Sequence, residues 1–582
     1  MLIHPHRNQH RAARLLAATI AISLSPLGAI ADKPHSSPLA DGYATAAAGT
    51  SKNLADILSI EPLSAPTPNQ NRLVLIGGLD HQPAAGRSPS GTDAINELLK
   101  WWSSEEAKPL RATWQIAAVP DALPDASATA LPPFPPQKGF FNDQIAPEAR
   151  YIWRWTAMSC PDLVIDLRAG TSPKIASNRL AITLFPGSSE TDPSELAGAL
   201  GQDSPSGLAP VPAIRMEGPS DHLQNAVKSI LSKAFPMSPL RTAFEARVAR
   251  DPLTIARLLA SRYPSAPSMS YIPALSWSGA LNLSKITGDP SYREKALKQM
   301  APFLDGSKPA LPEKANLPSI AGHLAFSDLA RLEPAQDAAL LARKAADHLI
   351  RSATPSDLVP SATRWTDDMF MAPAVLARVA ATSDEPRFAE ITQRLLQSYS
   401  ERLQRPDGIF VHVESSPFAW GRGNGFAAFG LMDSLTHIRD HSKANSTLLN
   451  IFQRHMKGLL KHQSPDGAWR QVIDQPGAYR EFTATAMITT AIARGIRLGW
   501  LDQASFLPAA NRGWKAVSAR IANDATLTDV CTGTGAKKDC DRSHYLHRDA
   551  IFGPDDRGGA MGLTVALEMH SLNAALQTNA SK

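Results

Sequence analysis

Cysteine is scarce, with three in 582 residues, so no disulfide framework defines the fold. Cys160 stands alone, whereas Cys531 and Cys540 are close enough in sequence to be expected to bridge in an oxidising compartment. Two thiols without neighbouring ligand pairs do not make a zinc site. Charge is also sparse: the net balance is +5, and its basic residues form no run or stripe, which argues against nucleic acid as a partner. Beyond the N-terminus no apolar run approaches the roughly 18 residues of a membrane span, so no membrane contact is expected after processing.

What the chain has is length. A sequence of 582 residues exceeds one ordinary core and predicts two or three domains. Arg7, Arg11 and Arg14 precede the apolar stretch Leu15 to Leu27, and Ala29-Ile30-Ala31 offers small residues for cleavage, which predicts a signal peptide over 1–31 and an exported protein, periplasmic or extracellular. Ala, Ser and Pro dominate 32–68, predicting a linker. From 69 to 240, short apolar runs at 72–76, 114–119, 162–167 and 180–184, with a helical stretch over 92–102, predict an α/β domain.

Within it, a strand running into Gly77-Gly78, the segment Pro147-Glu148-Ala149-Arg150 and the strand Asp162 to Arg168 resemble the zinc carboxypeptidase fold. The metal ligands of that family are missing. His81 is followed by Gln82-Pro83-Ala84 rather than by a Glu three positions on, and Arg168 stands where a His is needed. The resemblance therefore implies a fold without a metal or peptidase activity, and no cofactor is expected anywhere in the chain.

From 241 to 582 the pattern is helical throughout. Phe388, Ile391, Leu395, Tyr399 and Leu403 keep one face, as do Trp514, Val517 and Ile521, marking outer helices. The stretch 483–498 is apolar on all sides, as a helix inside a ring must be. Thr287-Gly-Asp-Pro-Ser-Tyr292 recurs loosely at Thr382 to Phe388, each between two helices, with Asp placed to cap and Pro in the first turn. Hairpins of this size number about six over the segment, the count of an (α/α)6 toroid. The fold class is thus multidomain: an N-terminal α/β domain followed by an all-α (α/α)6 toroid.

Four polar and aromatic segments interrupt these helices. In Trp365-Thr-Asp367-Asp368-Met-Phe-Met371, apolar neighbours would favour a protonated Asp367, as a general acid requires. An Asp pair is otherwise most simply a cap and a solvated residue, and adjacent carboxyls point about 100° apart on a helix. His412 precedes Trp420-Gly-Arg422-Gly-Asn-Gly425-Phe426, where glycines allow close approach to a ligand, Arg422 offers a fork for a carboxylate and the aromatics offer faces to a sugar. No Gly-Lys-Ser or Gly-Lys-Thr follows, which excludes a phosphate loop. After the turn at Pro465-Asp466-Gly467 come Tyr479 and Glu481, read equally well as substrate contacts or as favourable residues of a first helical turn.

In order and spacing these segments, with Tyr545-Leu-His-Arg548 and Asp556-Arg557-Gly-Gly-Ala-Met561, resemble glycoside hydrolase family 105, the unsaturated rhamnogalacturonyl hydrolases, and its relative family 88. The resemblance implies removal of a 4,5-unsaturated uronic acid from acidic oligosaccharides by hydration of its double bond, with Asp367 as proton donor. It also implies substrate contacts at Trp365, Asp368, His412, Trp420, Arg422, Phe426, Tyr479, Glu481 and Arg557. Three positions depart from the family pattern: Asn316-Leu317 is followed by Pro318-Ser319 rather than an Asp, no His lies between Pro355 and Arg364, and Phe426 replaces a Trp. Two other readings stand beside it: a conventional glycosidase using Asp367 and Glu481, and a non-catalytic carbohydrate-binding protein.

Overall fold

The computed structural model describes residues 39–79, 90–125, 134–136, 147–203, 209–383, 385–438, 443–535 and 540–580. The expected signal peptide and the Asp80 to Ala84 segment lie outside the described residues. Residues from Leu39 onward form a single compact unit with two layers.

The first layer is an eight-stranded sheet of β1 (Tyr43–Thr50), β2 (Asp56–Pro62), β3 (Asn71–Ile76), β4 (Trp114–Val119), β5 (Leu163–Ala169), β6 (Lys174–Ser177), β7 (Ser189–Glu190) and β8 (Ala213–Gly218), in the order β1-β2-β4-β3-β5-β8-β6-β7. Its centre, β4-β3-β5-β8, is parallel; β3 and β4 are mostly apolar, as a sheet covered on both faces requires, whereas β5 and β8 carry the paired charges Asp166–Arg168 and Arg215–Glu217. Helices α1 (Ser90–Trp102), α2 (Pro147–Met158), α3 (Leu196–Leu200) and α4 (Ser220–Leu231) accompany it.

Two expectations are corrected here. Much of the predicted linker is β1 and β2; β1 is rich in Ala and lacks most of the usual strand residues, while β2 carries the buried Ile57 and Ile60. The two strands are held by pairing with one another and by packing under α2, where a Cβ on Gly49 would lie 2.1 Å from the Tyr151 ring. The predicted strand at 180–184 is a run of turns, because Asn178 takes the amides of Leu180 and Ala181 on its side chain and curls the chain.

After α5 (Pro239–Val248) the second layer runs through α6 (Pro252–Arg262), α7 (Tyr271–Thr287), α8 (Pro290–Leu304), α9 (Leu317–Ala321), α10 (Leu324–Leu332), α11 (Gln336–Ile350), α12 (Asp368–Ala380), α13 (Pro386–Leu403), α14 (Gly421–His437), α15 (Lys443–Leu460), α16 (Phe482–Arg497), α17 (Gln503–Ala519), α18 (Arg542–Leu546) and α19 (Asp556–Ala580). Helices α7, α10, α12, α14, α16 and α19 each touch the next, and α19 closes on α7. Outside them lie α6, α8, α11, α13, α15 and α17, giving six inner and six outer helices among the described residues, an (α/α)6 toroid. Inner α12, α14 and α16 are buried almost all round, while α13 buries the predicted stripe through Phe388, Leu395, Tyr399 and Leu403. Asp289 caps α8 through Ser291 N with Pro290 in the first turn, and Gly288 ends α7 in the left-handed conformation, φ 73°.

Candidate active site

The residues at the starts of α7, α12, α14, α16 and α19 meet at one end of the ring, where Tyr271 packs on Phe370 and Phe426 and where Arg422, Glu481 and Arg557 share the backbone of Cys531. Asp367 immediately precedes α12. Thr366 N donates to His412 O at 3.1 Å, which ties the Trp365-Asp367 segment to the loop before α14. Asp367 Oδ2 then lies 3.3 Å from His412 Nε2, with 18% of its side chain exposed against 2% for His412. On its other side, His412 Nδ1 is 2.9 Å from Tyr545 Oη. Trp365 and Trp420 flank the imidazole, at 5.2 and 4.7 Å between ring centroids.

This line of three groups accommodates Asp367 in either protonation state. When Asp367 is ionised, Nε2–H donates to it and Nδ1 accepts from the Tyr545 hydroxyl. When Asp367 is protonated it donates to Nε2, and Nδ1–H donates to the turned hydroxyl.

Arg422, in the first turn of α14, stacks over the Trp420 ring at 4.9 Å and donates from Nη1 to Cys531 O at 2.7 Å. Arg557, in the first turn of α19, donates to the same carbonyl at 2.8 Å. Gly533 holds φ 119°, and a Cβ there would come within 3.4 Å of Arg422 Nη2, so the backbone passes close over the guanidinium. Burial alone would weaken the hold of Arg422 on its proton. The neighbouring Cys531, Tyr271, Glu481 and Asp367 more than reverse this, and its pKa is raised. Tyr271 opens α7 and is buried among Phe370 and Phe426. Burial raises its phenol pKa, against the fields of Arg422 and Arg557.

Several expected contacts fall elsewhere. The burial anticipated for Asp367 falls instead to Asp368: this carboxyl is wholly buried and accepts from Tyr399 Oη at 2.5 Å, Thr363 Oγ1 at 2.9 Å and Arg364 N at 2.7 Å. Burial raises its pKa. Asp368 thus ties α12 to outer helix α13. Glu481 is a helix cap: it is fully buried and accepts from Thr483 N at 3.0 Å, Ala484 N at 2.5 Å and Cys531 N at 2.9 Å. Tyr479 is buried beneath Arg154, whose guanidinium lies 4.4 Å over its ring, and so belongs to the seam between the layers. Trp420 and Phe426 are 2% and 1% exposed, and Phe426 stacks on Phe370, so neither offers a sugar a free face.

The glycines of the Trp420-Phe426 segment serve protein packing rather than ligand approach. A Cβ on Gly421 would meet Arg470 O at 2.2 Å, one on Gly423 would meet Thr366 Oγ1 at 2.4 Å, and one on Gly425 would meet Met487 at 3.2 Å. The structure shows no bridge between Cys531 and Cys540. Cys531 is buried at the end of the strand β9 (Leu527–Cys531), where its backbone is committed to Glu481, Arg422 and Arg557, while Cys540 lies outside that strand.

Three contributors escape sequence reasoning: Tyr271, Tyr545 and the carbonyl of Cys531. Tyr545 lies within a segment that stands out in the sequence only by its resemblance. In the sheet layer, Arg168 pairs with Asp166 at 2.7 Å and Glu195 at 3.2 Å, and among the described residues no cluster of three or more His, Cys, Asp or Glu could hold a metal. A cavity of about 330 Å³ between the inner helices is lined by Asp328, Arg378, Asp433, Arg494, Arg497 and Glu568, and these charges are paired with one another.

The model of Glycosyl Hydrolase Family 88 matches residues 257–573, more than half of the chain. An unsaturated 3S-rhamnoglycuronyl hydrolase of Formosa agariphila is 26% identical over 172 residues, 26% of this chain and 46% of the relative. The unsaturated rhamnogalacturonyl hydrolase YesR of Bacillus subtilis is 22% identical over 185 residues, 30% of this chain and 52% of the relative. The chain thus spans about half the length of these curated relatives. A family 105 glycoside hydrolase structure from C. acetobutylicum aligns with TM-score 0.49 at 21% identity, over 54% of this chain and 99% of that one. These comparisons lend no support to the carboxypeptidase resemblance of the sheet layer. On the match over the toroid, the chain belongs to Glycosyl Hydrolase Family 88.

Proposed function

We propose that this glycoside hydrolase acts outside the cytoplasm and removes a 4,5-unsaturated uronic acid from the non-reducing end of oligosaccharides by hydrating the double bond. The observation that carries the reading is one partly exposed carboxyl, Asp367, backed by His412 and Tyr545 and within the field of Arg422. An enol ether needs one acid to protonate C4 and one base to help water add at C5. Asp367 can supply both in turn, giving its proton and then recovering one from water, while His412 and Tyr545 follow the change. The resulting hemiketal opens and releases the aglycone as an alcohol.

The substrate's carboxylate has a suitable environment. Arg422 and Arg557 stand beside the site, and the inner helices direct their positive ends toward it. A conventional glycosidase instead requires two carboxyls flanking the bond, and Glu481 is committed to capping α16. The names of the relatives make rhamnose-linked uronates the first substrates to try.

The test is incubation of the purified protein with lyase-generated oligosaccharides, following the ultraviolet absorbance of the conjugated double bond. The absorbance should disappear as free aglycone is released. Release of saturated sugars from intact glycosides, with no loss of absorbance on any unsaturated substrate, would overturn the reading.

A further inference from the structure

The family match begins at residue 257, so the sheet layer lies outside it, yet its helix α2 reaches the candidate site, beside contacts that Leu54, Asp56 and Glu61 make with Arg542 and Arg480. Every residue of α2 except Glu148 is buried. Tyr151 and Arg154, one turn apart on one face, grip two ends of the same toroid segment, which runs from β9 through α18 to a strand β10 (Ala550–Gly553) paired with it. Arg154 Nε meets Asp529 Oδ1 at 2.8 Å, with side chains 5% and 0% exposed. Tyr151 Oη donates to Leu546 O at 3.0 Å. The same hydrophobic cluster contains Tyr151 and Trp155 from α2 and Trp420, Cys531, Tyr545 and Leu546 from the toroid.

Each grip sits close to a group of the site. Asp529 has φ 68°, a conformation costly for most residues though tolerated by Asp, and two arginines hold it there. It joins Arg154 to a chain of alternating charge, in which Glu61 meets Arg480 at 2.7 Å, Arg480 meets Asp466 at 3.3 Å, Asp466 meets Arg520 at 3.1 Å and Arg520 meets Asp529 at 2.8 Å. Two residues beyond Asp529, the carbonyl of Cys531 receives both Arg422 and Arg557. At the other end, Leu546 directly follows Tyr545, the partner of His412.

We infer that α2 is a positioning element of the active site: Arg154 sets the two arginines through Asp529 and Cys531, and Tyr151 sets the Asp367-His412 pair through Leu546 and Tyr545. The sheet layer then completes the toroid's chemistry. The catalytic consequence rests on the proposed function, whereas the clamp itself does not.

The experiment compares full-length Arg154→Met, Tyr151→Phe and Arg241→Met with the wild type. Arg241 is a buried partner of Asp162 at 2.7 Å that does not touch the clamped segment, so its variant controls for lost stability. Amide exchange should quicken over 527–533 in Arg154→Met and over 543–549 in Tyr151→Phe, and in neither stretch in Arg241→Met. On an unsaturated oligosaccharide, kcat/KM should fall on the order of 10²-fold, as a misplacement of about 1 Å can produce. The loss should appear mainly in KM for Arg154→Met, and mainly in kcat with a shifted pH profile for Tyr151→Phe. If Arg154→Met does not fold, Arg154→Lys retains the charge without the fork and is read in the same way. Exchange and kinetics that match Arg241→Met in both variants would overturn the inference. A wild type inactive on every unsaturated oligosaccharide would instead sink the proposed function, while exchange still reports on the clamp.

Discussion

Tyr545 Oη stands 2.9 Å from His412 Nδ1, so a residue far downstream fixes the ring that faces Asp367. Tyr545→Phe keeps the buried ring and leaves Nδ1 without its partner. A lost buried hydrogen-bond partner costs about 1–3 kcal/mol, or roughly 10–100-fold in kcat if felt wholly in the transition state. Steady-state kinetics should show that drop with KM little changed. An unchanged kcat across the pH range would remove Tyr545 from the site.

Gly423 is where α14 passes against the His412 ring. An added methyl would meet Thr366 Oγ1 at 2.4 Å, the Trp420 ring at 3.2 Å and His412 Cδ2 at 3.4 Å. Gly423→Ala should therefore cost about 1–3 kcal/mol through overpacking and reduce activity more than its stability loss explains. Thermal melts and kinetics on the folded fraction check both parts.

The toroid was legible because its determinants are local: capping by Asp289 ahead of Pro290, the one-sided stripe of α13 and the all-round apolarity of α16 each follow from side chains on one element. β1 was not, because its stability comes from pairing with β2 and from Tyr151 above Gly49 rather than from strand propensity. Asp367, His412 and Arg422 could be singled out as residue types. Their division of labour with Asp368 and Glu481 could not, since that depends on which carboxyl meets Tyr399 or a helix start. The carbonyl of Cys531 has no sequence signature at all.

Acid should destabilise the fold through His323. Its side chain is fully buried, Nδ1 lies 2.9 Å from Ile320 O and Nε2 has no partner. Burial lowers its pKa to about 4, so the unfolded chain binds the extra proton first. Stability is complete above the unfolded value of roughly 6.5 and is lost as pH falls toward 4, at most on the order of 3 kcal/mol by linkage. His437, His455 and His547 are lowered to about 4 by burial as well, so His323→Phe should make the decline between those limits shallower in denaturant titrations without abolishing it. An equal slope in both proteins would contradict the assignment.

Asp367→Asn tests the centre of the mechanism. Asn preserves the shape and can still donate to or accept from His412 Nε2, yet it carries no proton for C4 and cannot take one from water. Turnover should fall by the roughly 10²–10⁴-fold of a lost general acid, with KM nearly unchanged because Arg422 and Arg557 remain. Asp368→Asn makes the contrast. Asp368 is tied to Tyr399, Thr363 and Arg364 N away from solvent, so its variant should change thermal stability more than kcat. Glu481→Gln should likewise lower stability, by about 1 kcal/mol for a weakened cap, and leave the reaction class intact. If Asp367→Asn kept most of its turnover while Glu481→Gln lost it, the capping carboxylate would be the chemical one and hydration by Asp367 would be wrong.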